Sequence, residues 1–240
     1  MSSRPTPYRI AIPIYEHVNL FDVTSACEMF YWMGQFWNEG PVIIDLVEAK
    51  GRVVRTLAGP KLTPDKSFDD YRGKGQQPIQ AQLIWVPGAG NETTQKMMGD
   101  TDYLRFLQEQ AEGAEYVTSV CEGALLLANA GLLDGYEATT HWAVVPCLRT
   151  FKHVKVAEDF PRFIVDRNRV TGGGVSSGVD ESLRIIQLIC GDEVATKVQV
   201  LTQYFPQPPV NGHIPTGGKC DIEIPDPPPA KSSETATSKN

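Results

Sequence analysis

Cys121 stands where a sulfur can do chemistry. It follows the apolar run 116–120 without a loop and begins the helical run Glu-Gly-Ala-Leu-Leu-Leu-Ala, which Gly131 closes. Gly123, two positions on, permits a tight turn that lifts the side chain above a sheet. This is the logic of a nucleophile elbow, although the hydrolase pattern Gly-x-Ser-x-Gly is only half met. A thiol at a helix N-terminus feels the positive end of the dipole, which predicts a thiolate. The alternative is a small buried apolar residue, a common fate for cysteine. Its place at the carboxyl end of a strand, the ligand-binding edge of an open α/β sheet, favours chemistry. The N–H of Glu122 and the amides of Gly88, Ala89 and Gly90 form a candidate cradle for a developing anion. Glu122 also sets a carboxyl beside the thiol, to oppose thiolate formation or to serve as an additional acid or base.

The elements that must position these groups alternate along the chain. Strands are expected over 8–15, 42–48, 83–86, 116–120, 138–140 and 162–166, with a small hairpin insertion over 53–68. Helices are expected over 22–37, 101–112, 122–130, 177–190 and 192–204, the fourth opened by a capping-box-like Ser177-x-x-Asp180. Alternation with short connections predicts an α/β fold: a mostly parallel central sheet covered by helices on both faces. Ligands then bind at strand ends, here marked by Pro87-Gly-Ala-Gly90 and by Val120-Cys121. The run Gly172-Gly-Gly-Val-Ser-Ser-Gly178 lacks both phosphate-loop and dinucleotide spacing and reads as a tight turn before a helix. Tyr31, Trp32, Phe36 and Trp37 read as core or as a dimer surface.

Composition bounds the partners. At 240 residues, 41% hydrophobic and 21% charged, the chain reads as one globular domain. Its net charge of −7 disfavours nucleic acid and anionic membrane. The start is too short an apolar run, broken at Pro13 and Glu16, for a signal peptide or membrane span. Cys27, Cys121, Cys147, Cys190 and Cys220 are odd in number and lack Cys-x-x-Cys pairs. That predicts neither a disulfide framework nor a zinc site, but free thiols in a reducing cytoplasm. Residues 1–7 are expected to be an arm and 8–215 the domain; proline-rich and then polar, 216–240 is expected to be a disordered tail.

The segments Val117-Thr-Ser-Val-Cys-Glu-Gly-Ala124, Ala138-Thr-Thr-His-Trp142, Val170-Thr-Gly-Gly-Gly174 and Gly178-Val-Asp-Glu-Ser182 resemble the ThiJ/PfpI superfamily. This is the glutamine-amidotransferase-like group that includes the parkinsonism-associated deglycase. Within it the chain is most similar to the isonitrile hydratases, which turn an isonitrile and water into an N-substituted formamide. The resemblance runs over about 8–215. It implies a flavodoxin-like three-layer α/β/α sandwich, Cys121 as nucleophile, no cofactor or metal, a small-molecule substrate and a homodimer. It also implies that Asp22, in Leu20-Phe-Asp22-Val-Thr24, is the acid/base beside the cysteine. Read alone, Asp22 is more simply a helix N-cap for Thr24 and Ser25. Thr140, His141 and Gly173 are implied as support, His141 read as a hydrogen-bonded structural histidine.

One departure matters. Isonitrile hydratases usually carry threonine after the cysteine, and the protease-like branch carries histidine; this chain has Glu122. Three readings follow: a hydratase, the same site turned to isomerisation, cyclisation or glyoxalase-like hydration, and a non-catalytic redox or ligand sensor.

Overall fold

A computed structural model describes residues 7–215 and 218–226. In chain order the elements begin with β1 (Tyr8–Pro13), α1 (Leu20–Phe36), β2 (Val42–Glu48), β3 (Val54–Arg55) and β4 (Lys61–Leu62). They continue with β5 (Lys66–Ser67), α2 (Phe68–Tyr71), β6 (Leu83–Val86), α3 (Asn91–Met98) and α4 (Thr101–Ala111). Next come β7 (Tyr116–Ser119), α5 (Gly123–Asn129), β8 (Glu137–Ala138), a 3₁₀ turn (Trp142–Val144) and α6 (Val145–Leu148). The last are β9 (Lys155–Val156), β10 (Phe163–Asp166), β11 (Arg169–Gly172), α7 (Ser177–Cys190) and α8 (Asp192–Leu201).

Seven strands form the central sheet in the order β10-β11-β7-β6-β1-β2-β5, parallel throughout except for the β10–β11 hairpin. Helices α1, α7 and α8 pack together, as do α3, α4 and α5, so the sheet lies between two helical layers. The α/β expectation of a mostly parallel sheet in a three-layer sandwich therefore stands. Its cause is legible in β6, whose four residues Leu83, Ile84, Trp85 and Val86 are all fully buried, as a strand covered on both faces requires. None of the described helices is long and apolar enough to cross a membrane.

Several expectations need correction. The insertion after β2 is a hairpin only over β3–β4; β5 leaves it and extends the main sheet beside β2. Helix α3 was not expected, because Asn-Glu-Thr-Thr-Gln-Lys-Met-Met is mostly polar. Strand β11 was hidden in the approach to the glycine run, yet it lies beside β7. Helix α8 ends at Leu201 and not at 204. Helix α7 has no side-chain cap: Ser177 Oγ instead donates to the Gly174 carbonyl, and Asp180 binds Arg162. The free-thiol reading fails for two cysteines, because Cys147 on α6 is disulfide-bonded to Cys220. The cysteines therefore no longer argue for a reducing compartment. Within the expected tail, Cys220 carries this bond and Ile222 is buried. Residues 1–6, 216–217 and 227–240, with most of the expected arm and tail, lie outside the described residues.

Candidate active site

Strand β7 runs into α5 through Val120, Cys121 and Glu122. Cys121 has φ +58°, a left-handed conformation that costs a non-glycine residue about 1–2 kcal/mol. Its surroundings hold it there. The Cys121 N–H donates to the Gly173 carbonyl at 2.8 Å, and its own carbonyl accepts from Thr140 Oγ1 at 2.7 Å. Gly173 in turn donates to the Arg162 carbonyl. Two glycines make the elbow possible. A Cβ on Gly123 would collide with the Val86 carbonyl oxygen, and one on Gly88 would lie 2.6 Å from Glu122 N and 2.9 Å from Cys121 Cβ. A strained residue over-determined by its neighbours is the expected mark of a functional turn.

Carboxyl groups surround the sulfur. Asp22, on the first turn of α1, is 0% exposed, and its Oδ2 accepts from the Gly88 N–H at 2.9 Å. It is not an N-cap; that place belongs to Asn19. Burial, offset in part by the Gly88 hydrogen bond and reinforced by the nearby Glu122, raises the Asp22 pKa to about 8. With Oδ2 engaged as an acceptor, Oδ1, buried without a partner, is the oxygen that carries the proton at neutral pH. Glu122 is 8% exposed and hydrogen-bonds the Cys121 side chain, while its backbone N–H also points to the sulfur.

The thiolate expectation is overturned. Burial, then the charges of Asp22 and Glu122, then the Glu122 side-chain bond hold the Cys121 thiol well above its usual pKa; the Glu122 N–H pulls the other way and loses. The short α5 offers one dipole end against burial and two carboxyls. At rest Cys121 is a thiol. In the expected anion cradle one amide is already engaged. The Gly88 amide is committed to Asp22, Ala89 pairs with Val18 in an isolated bridge, and Gly90 is the N-cap of α3.

His141 caps the 3₁₀ turn, its Nδ1 accepting from the Ala143 N–H at 3.3 Å, and its ring lies against Gly174. It also lines a cavity of about 390 Å³ together with Thr140 and Gly173, the two residues that hold the Cys121 backbone. Phe21, Trp142, Phe160 and Ile214 give this cavity apolar walls. A larger cavity of about 680 Å³ between α7 and α8 holds no cysteine or histidine in its walls. Among the described residues no cluster of three or more His, Cys, Asp or Glu side chains is arranged to hold a metal ion.

The sequence does not single out Glu181, a further buried acid near Asp22. Glu181 is 0% exposed on α7, pressed on Gly172, and burial together with the charge of Asp22 raises its pKa well above the usual range. In the sequence it reads as one more charge beside Asp180; only its apolar neighbours Ile185, Ile186 and Ile189 on the same helix hint at an inward face.

Residues 9–188 match the model of the DJ-1/PfpI family. An isonitrile hydratase from Pseudomonas putida is 38% identical over 162 residues, 68% of this chain and 66% of its own length. The HTH-type transcriptional regulator GbdR of Pseudomonas aeruginosa is 28% identical over 200 residues, 82% of this chain and 51% of its own. The chain thus spans between half and two thirds of these curated relatives. A crystal structure of a ThiJ/PfpI family protein from Pseudomonas syringae superposes with a TM-score of 0.74 at 30% identity, covering 86% of this chain and 80% of that one.

Proposed function

The chain belongs to the DJ-1/PfpI family, and from that premise we propose that it is a cysteine-dependent hydratase of isonitriles, with Cys121 as nucleophile, Asp22 as acid and Glu122 as base. The observation that carries this reading is a protonated carboxyl, Asp22, buried beside a protonated thiol on a strained elbow. An isonitrile carbon must receive both a proton and a nucleophile, so an acid and a thiol facing one spot match it better than a free thiolate would. The similarity to the Pseudomonas putida isonitrile hydratase supports the same choice.

In the first step Asp22 Oδ1–H protonates the terminal carbon of R–N≡C. The Cys121 sulfur bonds to that carbon, and the thiol proton passes to Glu122. A thioimidate, R–N=CH–S–Cys121, results. Water then adds to its carbon, losing a proton to Asp22 while Glu122 protonates the nitrogen. Collapse of R–NH–CH(OH)–S–Cys121 breaks the C–S bond, and Glu122 carries the hydroxyl proton to the departing sulfur. The products are R–NH–CHO and the starting thiol. A narrow, linear isonitrile group suits a nucleophile that is only 2% exposed, and the neighbouring cavity, which Thr140 and Gly173 line and Cys121 does not, offers Phe21, Trp142 and Phe160 as apolar walls for its substituent.

Glu122 favours one second reading, in which the same acid–thiol–base set isomerises or cyclises another small electrophile. Peroxide sensing fits less well, because it needs a low-pKa thiol and this one is raised. As in the resemblance, the active form is proposed to be a homodimer, sedimenting at twice the 26.4 kDa chain mass. Proton NMR of formamide formation from a simple alkyl isonitrile tests the function. Native protein is expected to turn it over and Cys121→Ala to lose at least ~10³-fold in rate. Equal rates would refute the nucleophile.

A further inference from the structure

Behind the elbow, where α1 packs against α7, buried polar atoms gather without partners. Asp22 Oδ1, Ser25 Oγ and both carboxyl oxygens of Glu181 are all buried there and unpaired. Asp22 and Ser25 are three residues apart on α1, so they share a face; Gly178 and Glu181 share one on α7 in the same way. The two faces meet. Ser25 Oγ lies 3.0 Å from where a Cβ on Gly178 would stand, and Glu181 Oε2 fills the space that a Cβ on Gly172 would need. Val120 Cγ2, on the residue before the nucleophile, is 3.5 Å from both of those positions. Asp22 is also the ionisable group whose charge, once formed, acts on Glu181.

An unpaired buried polar group costs roughly 1–3 kcal/mol. Three such side chains converging on one spot satisfy each other most simply through ordered water, which takes two to four polar partners. We propose that Asp22, Ser25 and Glu181 enclose an ordered-water site behind Cys121, and that protonated Glu181 acts through this water as a positioning residue for Asp22. Once Asp22 has given its proton to the substrate, it is a buried carboxylate. The Glu181 O–H, donating to the water that donates to Asp22 Oδ1, stabilises that anion until the hydrolytic water returns the proton. No proton is transferred from Glu181 itself. The titratable groups facing Asp22 are Tyr15 beyond β1, Cys121 and Glu122 at the elbow, and Glu181 from α7; His141 and Arg162 lie across the cavity beside Phe21.

The kinetic half of this inference rests on the hydratase reading; the water site does not. Atomic-resolution diffraction from the native protein is expected to show ordered water within hydrogen-bond distance of at least two of the three side chains. Glu181→Leu removes the donor at similar bulk, and Glu181→Gln keeps one. The Leu variant is expected to lose about tenfold in kcat with KM within about twofold, and its basic pH limb should move up by about one unit. The Gln variant should stay near the native rate and limb. An empty site in the density, or a Leu variant with native kcat and pH profile, overturns the proposal. If Cys121→Ala instead keeps full activity, the hydratase reading fails while the diffraction still decides the water site.

Discussion

In the proposed hydration Asp22 is the decisive group at the scale of single residues, because its raised pKa of about 8 makes it an acid at neutral pH and a base only above that. The rate of isonitrile hydration is therefore expected to fall as pH rises through about 8, when the proton needed by the substrate carbon is lost. Asp22→Asn should lose about 10²–10⁴-fold and show no such limb, as initial rates measured from pH 6 to 10 would reveal. A native profile still rising at pH 9 would count against Asp22 as the acid. Cys121 and Glu122 stand out in the sequence because a strand-to-helix junction announces them, whereas Asp22 enters only through the resemblance, since a helix start alone reads as an N-cap. The protonation state of the thiol was not legible. It depends on how deeply the junction is buried and on two carboxyls brought from 99 residues apart in sequence and from next door. Glu181 was equally hidden: nothing in Gly-Val-Asp-Glu-Ser says which of two adjacent acids faces inward, and the structure sends Asp180 to Arg162 and Glu181 to Gly172.

Individual elements succeed or fail as expectations according to where their signal lies. The strand β6 is readable as a continuous apolar run, and β1, β2 and β7 as short runs rich in Val, Ile, Leu and Tyr, as central parallel strands require. The β10–β11 hairpin was half readable: its turn uses Arg167 at φ +56°, not glycine, and β11 ends in a glycine that reads as loop. Helix α3 carries its buried residues, Thr94, Met97 and Met98, too sparsely for periodicity to show. The Cys147–Cys220 bond could not be seen at all, since 73 residues separate the pair and no pattern marks them. Its consequence belongs to this scale. It fastens Cys220, which follows the cavity-lining Ile214 in the chain, to α6. Replacing both cysteines by serine, or reducing the native protein, is expected to lower stability by about 2–4 kcal/mol in urea unfolding followed by circular dichroism. Unchanged midpoints would mean that the chain around Cys220 is held by packing alone.

Across the whole molecule the buried acids tie stability to pH. A carboxyl that titrates near 3.8 when unfolded and near 8 when folded holds a proton that the unfolded chain has released in between. Its contribution is fully present below about pH 4, and is lost as pH rises through about 8. Glu181 shifts in the same direction. Thermal melts of the native protein should weaken progressively from pH 5 to 9, while Asp22→Asn, neutral throughout, should weaken less over that range; parallel slopes would show that Asp22 is not buried in its acid form. These costs are what a compact α/β sandwich sustains in order to hold a thiol and an acid together in a dry site. The most direct test of that arrangement is to trap the covalent intermediate. Native protein mixed with an alkyl isonitrile and quenched at intervals is expected to carry the thioimidate R–N=CH–S–Cys121 as an added mass equal to that of the isonitrile, which rapid top-down mass spectrometry of the quenched protein can locate. The predicted result is that adduct on Cys121, with Cys27 and Cys190 unmodified. Formamide produced with no adduct on Cys121 at any quench time would contradict it.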